Sequence, residues 1–362
     1  MKEALRLARK GLGRTSPNPA VGAVIVRDGR IIARGYHRKA GLPHAEVEAL
    51  NMLTGHAQGS TLYVTLEPCN HHGSTPPCTW AILKSGLKRV VVGMKDPNPN
   101  VRGGGCEFLR ENGVSVTTGI LEKECKRLNE VFLKFVTSGR PFVIIKSALT
   151  MDGWTATATG HSKWITNEKS RQFVHRLRDS VDAVMVGVNT VLADNPRLTT
   201  RLKRGRGKDP VRVILDTDLR TPLDAQVVNH NSPARTFIAV GYGKVADDRL
   251  SAFKDNHTGV SIIICPTKRG RIDLDALMDI LARKSLTSIL VEGGATVIGS
   301  ILREKLADKF YLFQSPKILG GDDGIPMAVG PGAKNIEQCI VLNDTRVRRF
   351  GEDILIEGYP EY

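Results

Sequence analysis

Apolar positions along the first 140 residues switch repeatedly between helical and strand periods. Ala4, Leu5, Ala8 and Leu12 recur at helical spacing in MKEALRLARKGLG, a charged opening without the continuous apolar core of a secretory signal, so a first helix is expected there. From Ala20 to Tyr36, AVGAVIVRDGRIIARGY places two strand-like runs around Asp-Gly, a hairpin signal. HAEVEALNML then reads as a helix, STLYVTLEPC as a strand, TWAILKSG as a helix ending at Gly86, KRVVVGM as a strand, and 122–136 as a further helix. This alternation predicts an α/β layer with parallel neighbours, and TSGRP supplies turn chemistry at a natural boundary.

Beyond that boundary the pattern restarts. PFVIIKSALT, DAVMVGVNTV, PVRVILD, RTFIAVG, VSIIICP and SILVEGGATVIGSILRE are short apolar runs, with helices expected near 167–179 and 273–284. They predict a second α/β domain, dividing the chain into 1–140 and 141–362. A length of 362 residues fits two cores better than one.

Composition narrows the class. With 41% hydrophobic and 25% charged residues, and no apolar run approaching the roughly 18 needed to span a bilayer, no membrane association is expected. Six scattered cysteines argue against a disulfide framework and for a cytoplasmic protein. The net charge of +15 suits a polyanion or a phosphorylated small molecule. The densest basic run, RLKRGRGKDPVR from Arg201 to Arg212, carries two glycines and reads as a solvated loop rather than a nucleic-acid patch.

The stretch TLEPCNHHGSTPPCTW carries the first candidate chemistry. Cys69 and Cys78 can supply two thiolates to zinc, and Cys78 follows Pro76-Pro77 at a helix start whose amides favour the thiolate. The third ligand is sought at His44 in PHAEVEAL, because His-x-Glu opening a helix together with Pro-Cys is the signature of zinc nucleobase deaminases. Three ligands leave one position open, as a catalytic zinc requires. Spacing does not choose between Glu46 and Glu48 as the proton carrier. In the second half, SILVE runs into Gly293-Gly294 and a helix, where amides could receive a phosphate; a plain tight turn looks the same, and the Gly-x-Gly-x-x-Gly fingerprint is absent.

The two cysteines stand farther apart than the commonest deaminase pattern, which separates them by two residues. With TLEPC before the insert, TPPC closing it, and SPNPAVGAVIV and DPNP elsewhere, most of residues 1–140 resembles the deaminase domain of the RibD family of bifunctional riboflavin biosynthesis proteins. KSALTMDG, GHSKWIT, VGVNTVLADNPRLTTR and VEGGATVIGSIL resemble the reductase domain of that family, a relative of dihydrofolate reductase, in its order across 141–362. The resemblance implies a cytidine-deaminase-like α/β/α domain followed by a dihydrofolate-reductase-like α/β domain. It implies zinc on His44, Cys69 and Cys78, selects Glu46 as acid and base, and points to Asn18 and His71 as pyrimidine contacts. His72 stands where the family commonly has a tyrosine and receives no role.

For the second half the resemblance implies NADPH, with Lys146 and Asp194 beside the reacting sugar and Glu292 on the substrate. Ser162, Arg178, Leu198 and Arg201 match substrate-contacting positions, the arginines being suited to bidentate phosphate contact. Ala148, Trp164, Thr190, Asp194 and the helix start Gly294, Ala295, Thr296, Val297, Ile298, Gly299 and Ser300 match the cofactor side. The implied function is zinc-dependent hydrolytic deamination of 2,5-diamino-6-hydroxy-4-(5-phosphoribosylamino)pyrimidine, then NADPH-dependent reduction of its ribosyl side chain to ribityl, giving 5-amino-6-(5-phosphoribitylamino)uracil. A homo-oligomer, dimer or tetramer, is also implied. A nucleic-acid deaminase would suit the charge, but the cysteine spacing and the whole second domain speak against it. A purely structural zinc protein would want a fourth ligand.

Overall fold

The computed structural model describes residues 1–53, 57–72, 76–98, 104–205, 207–229, 231–256 and 259–362; residues 73–75 of the cysteine insert, Pro99 of DPNP and Arg206 of the basic run lie outside them. The chain divides into two compact units, Met1–Arg140 and Pro141–Tyr362. Among the described residues no helix is long and apolar enough to cross a membrane.

The first unit runs α1 (Lys2–Ala8), β1 (Gly22–Arg27), β2 (Arg30–Tyr36), α2 (Ala45–Asn51), β3 (Thr61–Leu66), α3 (Cys78–Lys84), β4 (Arg89–Met94), α4 (Gly105–Glu111), β5 (Ser115–Thr117), α5 (Glu122–Leu128) and α6 (Glu130–Ser138). Its sheet has the order β2-β1-β3-β4-β5. The expected parallel neighbours are found only across β3, β4 and β5; β1 is antiparallel to both β2 and β3. The turn at Asp28-Gly29 is too short for a crossover, so β2 must return antiparallel.

Two glycines set the layers. Ala23 pairs with Gly35, so Gly22 and Gly35 point to opposite faces of the sheet. A Cβ on Gly22 would lie 2.0 Å from the carbonyl oxygen of Ala4 in α1, and one on Gly35 would lie 2.2 Å from that of Ala45 in α2. The helices therefore rest directly on opposite faces, and Ile25, Leu62, Val64, Val90 and Val92 fill the core.

The single helix expected over 122–136 is broken at Asn129. Its buried side chain accepts a hydrogen bond from the Ala20 N–H at 2.8 Å and donates to the Ala20 carbonyl at 3.1 Å, clamping the segment that follows Asn18.

The second unit contains β6 (Phe142–Leu149), β7 (Trp154–Ala156), α7 (Glu168–Ser180), β8 (Ala183–Gly187), α8 (Val188–Asp194), β9 (Val211–Leu215), β10 (Thr236–Gly241), α9 (Asp247–Asn256), β11 (Val260–Cys265), β12 (Thr267–Lys268), β13 (Arg271–Ile272) and α10 (Leu274–Arg283). It continues with β14 (Ser288–Gly293), α11 (Ala295–Arg303), β15 (Lys309–Gln314), β16 (Ile325–Pro326), β17 (Val341–Phe350) and β18 (Asp353–Glu361). The main sheet has the order β11-β10-β9-β8-β14-β6-β15-β18-β17. Strands from β11 to β15 are parallel, while β18 and β17 run antiparallel at the edge.

Two readings need correction here, and one group of strands was not anticipated. The run DAVMVGVNTV is not one strand: it stops at Gly187, and Val188 begins α8. The C-terminal strands β15, β17 and β18 carry no sequence expectation at all; in β17, Arg346, Arg348 and Arg349 interrupt the apolar signal. Arg212, at the end of the basic run, is not solvated: it is fully buried in β9, where it donates to Thr236 Oγ1 and the Ala234 carbonyl.

Candidate active sites

In the first unit α2, β3 and α3 converge on a compact donor cluster. His44 caps α2 in an extended conformation, Cys69 lies three residues past the end of β3, and Cys78 begins α3. One donor atom from each lies within 4.8 Å of the others. His44 Nδ1 is 3.2 Å from Cys78 Sγ and 3.5 Å from Cys69 Sγ. Zinc bonds of about 2.0–2.3 Å place tetrahedral ligand atoms roughly 3.5–3.8 Å apart, so this soft donor set fits zinc with one position left over.

The electrostatics favour a thiolate. The Cys78 N–H donates to Cys69 Sγ at 3.3 Å. Hydrogen bonds from Cys78 and His44 hold Cys69 well below the usual thiol range, to about 4. The bond to Cys69 raises the His44 imidazole in turn.

Glu46 sits two residues past His44 in the first turn of α2 and is buried. Burial pushes its carboxyl up to about 7, and the Cys69 charge adds to the effect. A carboxyl poised there can both take and give a proton near neutrality. Glu48, the alternative by spacing, instead accepts from Arg38 Nε at 3.0 Å and is tied to the surface.

Asn18 Nδ2 lies 3.3 Å from His37 Nε2, while His37 Nδ1 bonds the Pro43 carbonyl at 3.1 Å. The carbonyl fixes the proton on Nδ1, so Nε2 accepts from Asn18 and the amide is oriented. His37 is buried and meets the His44 ring edge-on at 5.4 Å. Sequence reading missed it, since YHRKAG carries no motif. Glu67 was missed too: just past β3, its carboxylate accepts from the Asp96 and Cys106 N–H groups. His71 is exposed and its charge acts on Asp96. His72 stacks edge-on against Trp80 of α3 at 5.0 Å.

The second unit opens into a cleft of about 1520 Å³ along the C-terminal ends of its parallel strands. Lys146 and Ala148 of β6, and Glu292 at the end of β14, line it. So do Ser162, Trp164, Thr190, Asp194, Leu198 and Arg201. Trp164 is 61% exposed, with the Arg171 guanidinium 4.5 Å from its ring centroid, and is not core. Gly294, Ala295, Thr296, Val297, Ile298 and Ser300 reach the cleft. Gly299 does not belong with them: it faces the Val329 backbone, whose carbonyl oxygen would lie 2.2 Å from an added Cβ.

Arg178 also lines the cleft, but its fork is engaged. Nε and Nη2 pair with the two Glu292 oxygens at 2.6 and 2.9 Å, and Nη1 donates to the Thr199 carbonyl at 2.9 Å. Its bidentate capacity is therefore used to hold Glu292 rather than a phosphate. Burial works against the Glu292 carboxylate, and Arg178 more than offsets it, holding the group below the usual carboxylate range. Burial pushes the Lys146 ammonium down, opposed by Glu292 and reinforced by Arg178.

Arg201 stands differently. Its Nη1 donates to Thr199 Oγ1, leaving other donors, and burial with the neighbouring Arg178 and Arg197 disfavours its charge. An anion would relieve that crowding. His175, unmarked by any sequence motif, is buried in α7 and accepts from the Arg201 N–H at 3.3 Å.

Comparison with known proteins matches both units of the chain. Residues 1–94 match the cytidine and deoxycytidylate deaminase zinc-binding region, and residues 141–356 match the RibD C-terminal domain. The riboflavin biosynthesis protein RibD of Actinobacillus pleuropneumoniae is 42% identical over 99% of this chain and 93% of its own length. That of Aquifex aeolicus is 44% identical over 98% and 96%. A diaminohydroxyphosphoribosylaminopyrimidine deaminase/5-amino-6-(5-phosphoribosylamino)uracil reductase from Thermotoga maritima superposes with a TM-score of 0.85 at 40% identity, covering 99% of this chain and 97% of that one. Acinetobacter baumannii RibD gives 0.87 at 37%, covering 100% and 98%. Matched in both halves, and along their whole length by such relatives, the chain belongs to the RibD family of riboflavin biosynthesis proteins.

Proposed function

We propose that the two sites act on one phosphorylated metabolite in turn. The first unit deaminates 2,5-diamino-6-hydroxy-4-(5-phosphoribosylamino)pyrimidine by hydrolysis, and the second reduces the ribosyl chain of the product to ribityl. The observation that carries this reading is the buried Glu46 beside a three-donor cluster: a structural zinc site would use a fourth ligand, whereas here a titratable carboxyl sits next to three.

Zinc bound at such a site lowers the pKa of water to about 7. Glu46 accepts the proton that water gives up and delivers it to the exocyclic nitrogen, so that a C–O bond forms, the C–N bond breaks and ammonia departs. Asn18, oriented by His37, and His71 on the insert are the groups we assign to the pyrimidine ring.

In the second unit NADPH supplies the reducing equivalents. Lys146 is suited to give a proton to the sugar oxygen, because its weakened ammonium releases one more readily than an exposed lysine. Glu292, locked by Arg178, offers a fixed carboxylate to the ribose hydroxyls, and Asp194 and Ser162 line the same wall. Arg201 is the better placed of the two predicted arginines for the phosphate.

Two variants test the assignment separately. Glu46→Gln keeps the shape of the site, so zinc content holds while ammonia release falls by at least about a hundredfold; turnover near wild type would remove Glu46 from the mechanism. Lys146→Ala spares ammonia release and stops substrate-dependent NADPH oxidation, and normal oxidation would remove Lys146.

A further inference from the structure

One buried titratable group of the second unit has no part in the reaction as assigned. His175 lies in α7 and lines the cleft wall. Arg178, three positions on, shares its face of the helix. Both reach the turn at 198–201. Arg178 Nη1 donates to the Thr199 carbonyl at 2.9 Å, and the Arg201 N–H donates to His175 Nδ1 at 3.3 Å.

That turn has to be held in place. Leu198 is buried at φ +53°, in the left-handed region that a residue with a Cβ adopts only where its surroundings dictate it. Thr200 is tied to the chain that follows: its N–H donates to Asp209 Oδ1 at 2.7 Å and its hydroxyl to the Lys208 carbonyl at 2.8 Å. Thr199 has Arg178. Among the described residues, His175 alone holds the main chain of Arg201, whose Nη1 then rests on Thr199 Oγ1 at 2.9 Å. An imidazole accepts at Nδ1 only when that nitrogen carries no proton. Burial and the flanking Arg178 and Arg201 guanidinium groups keep the ring neutral, with Glu292 opposing them.

We propose that His175 is a positioning residue of the reductase: it fixes the Arg201 main chain, and through it the guanidinium that meets the substrate phosphate. This rests on the reading of Arg201 as the phosphate contact. Arg178 locks Glu292 and the Thr199 carbonyl, and His175 completes the same device from one turn earlier on α7. Loss of its acceptor weakens substrate binding and leaves the hydride step alone.

Steady-state NADPH oxidation by the full chain, with the deaminated ribosyl phosphate as substrate, tests it. His175→Ala raises the substrate KM by at least about tenfold, the effect of one misplaced charge-assisted contact. It leaves kcat and the NADPH KM within about twofold, as loss of uniform binding does. His175→Gln, which still accepts, recovers most of the loss. His175→Leu, close to histidine in size but without an acceptor, gives the same contrast if alanine unfolds the unit. In an Arg201→Ala background the second substitution adds less than about twofold, because a residue acting through Arg201 has nothing left to act on. A full loss in both backgrounds overturns the proposal, and so does a fall in kcat as large as the rise in KM, or a glutamine variant no better than leucine. An Arg201→Ala variant with the wild-type substrate KM overturns the reading of Arg201 itself; a strong Arg201→Ala effect with none from His175→Leu overturns His175 alone.

Discussion

His175 occupies a poor position for a charged imidazole, buried on α7 with Arg178 and Arg201 beside it. Burial first, then those two guanidinium groups, press its pKa from 6.5 down to about 4. The unfolded chain therefore takes up a proton before the folded one does, and stability contributed by the neutral ring is lost as pH falls from about 6.5 toward 4, by up to about 3 kcal/mol. His175→Gln keeps an acceptor for the Arg201 N–H without a titrating group. Calorimetric melting of the variant should fall less than that of wild type between pH 7 and 4.5, and parallel losses would show that His175 is protonated in the fold. Such residues mark the limit of sequence reading at this scale. His44, Cys69 and Cys78 carry local signatures, and the fold gathers them; His37, Glu67, Asn129 and His175 act through partners 19 to 109 positions away and announce nothing locally.

Among the elements, α2 matters most to the first site, since it carries His44 and Glu46. It lies against β2 through Gly35, where an added Cβ would meet backbone atoms of Ala45 at 2.2 Å and Ala49 at 2.5 Å. Backbone cannot swing aside as a flexible side chain can. Gly35→Ala should displace α2 at a cost of about 1–3 kcal/mol, lowering both the melting temperature and the zinc affinity measured against a chromogenic chelator. Unchanged zinc affinity would mean that α2 yields elsewhere. Most helices and parallel strands were legible because their apolar periods are clean. The breaks at Asn129 and Gly187 were not, since apolar residues continue across both, and the β17–β18 hairpin was hidden by its exposed arginines.

For the whole molecule, the net charge of +15 is partly explained by the anion it handles. Arg197 and Arg201 crowd one another in the reductase cleft, which Arg220, Lys268, Arg269 and Arg271 also line. Composition alone could not separate phosphorylated metabolites from nucleic acid; the cleft and the second domain do. The α/β class of both halves was readable from alternating periods and the β1–β2 hairpin from its Asp-Gly turn, while the antiparallel pairing of β1 with β3 was not, because alternation suggested parallel neighbours there. The central claim is that one chain performs deamination and reduction on the same metabolite. Product mass after incubating zinc-replete protein with the diaminopyrimidine ribosyl phosphate and NADPH tests it most directly. The account predicts a product showing exchange of an amine for oxygen and gain of two hydrogens; a product with the amine exchanged but the ribosyl chain unreduced would contradict it.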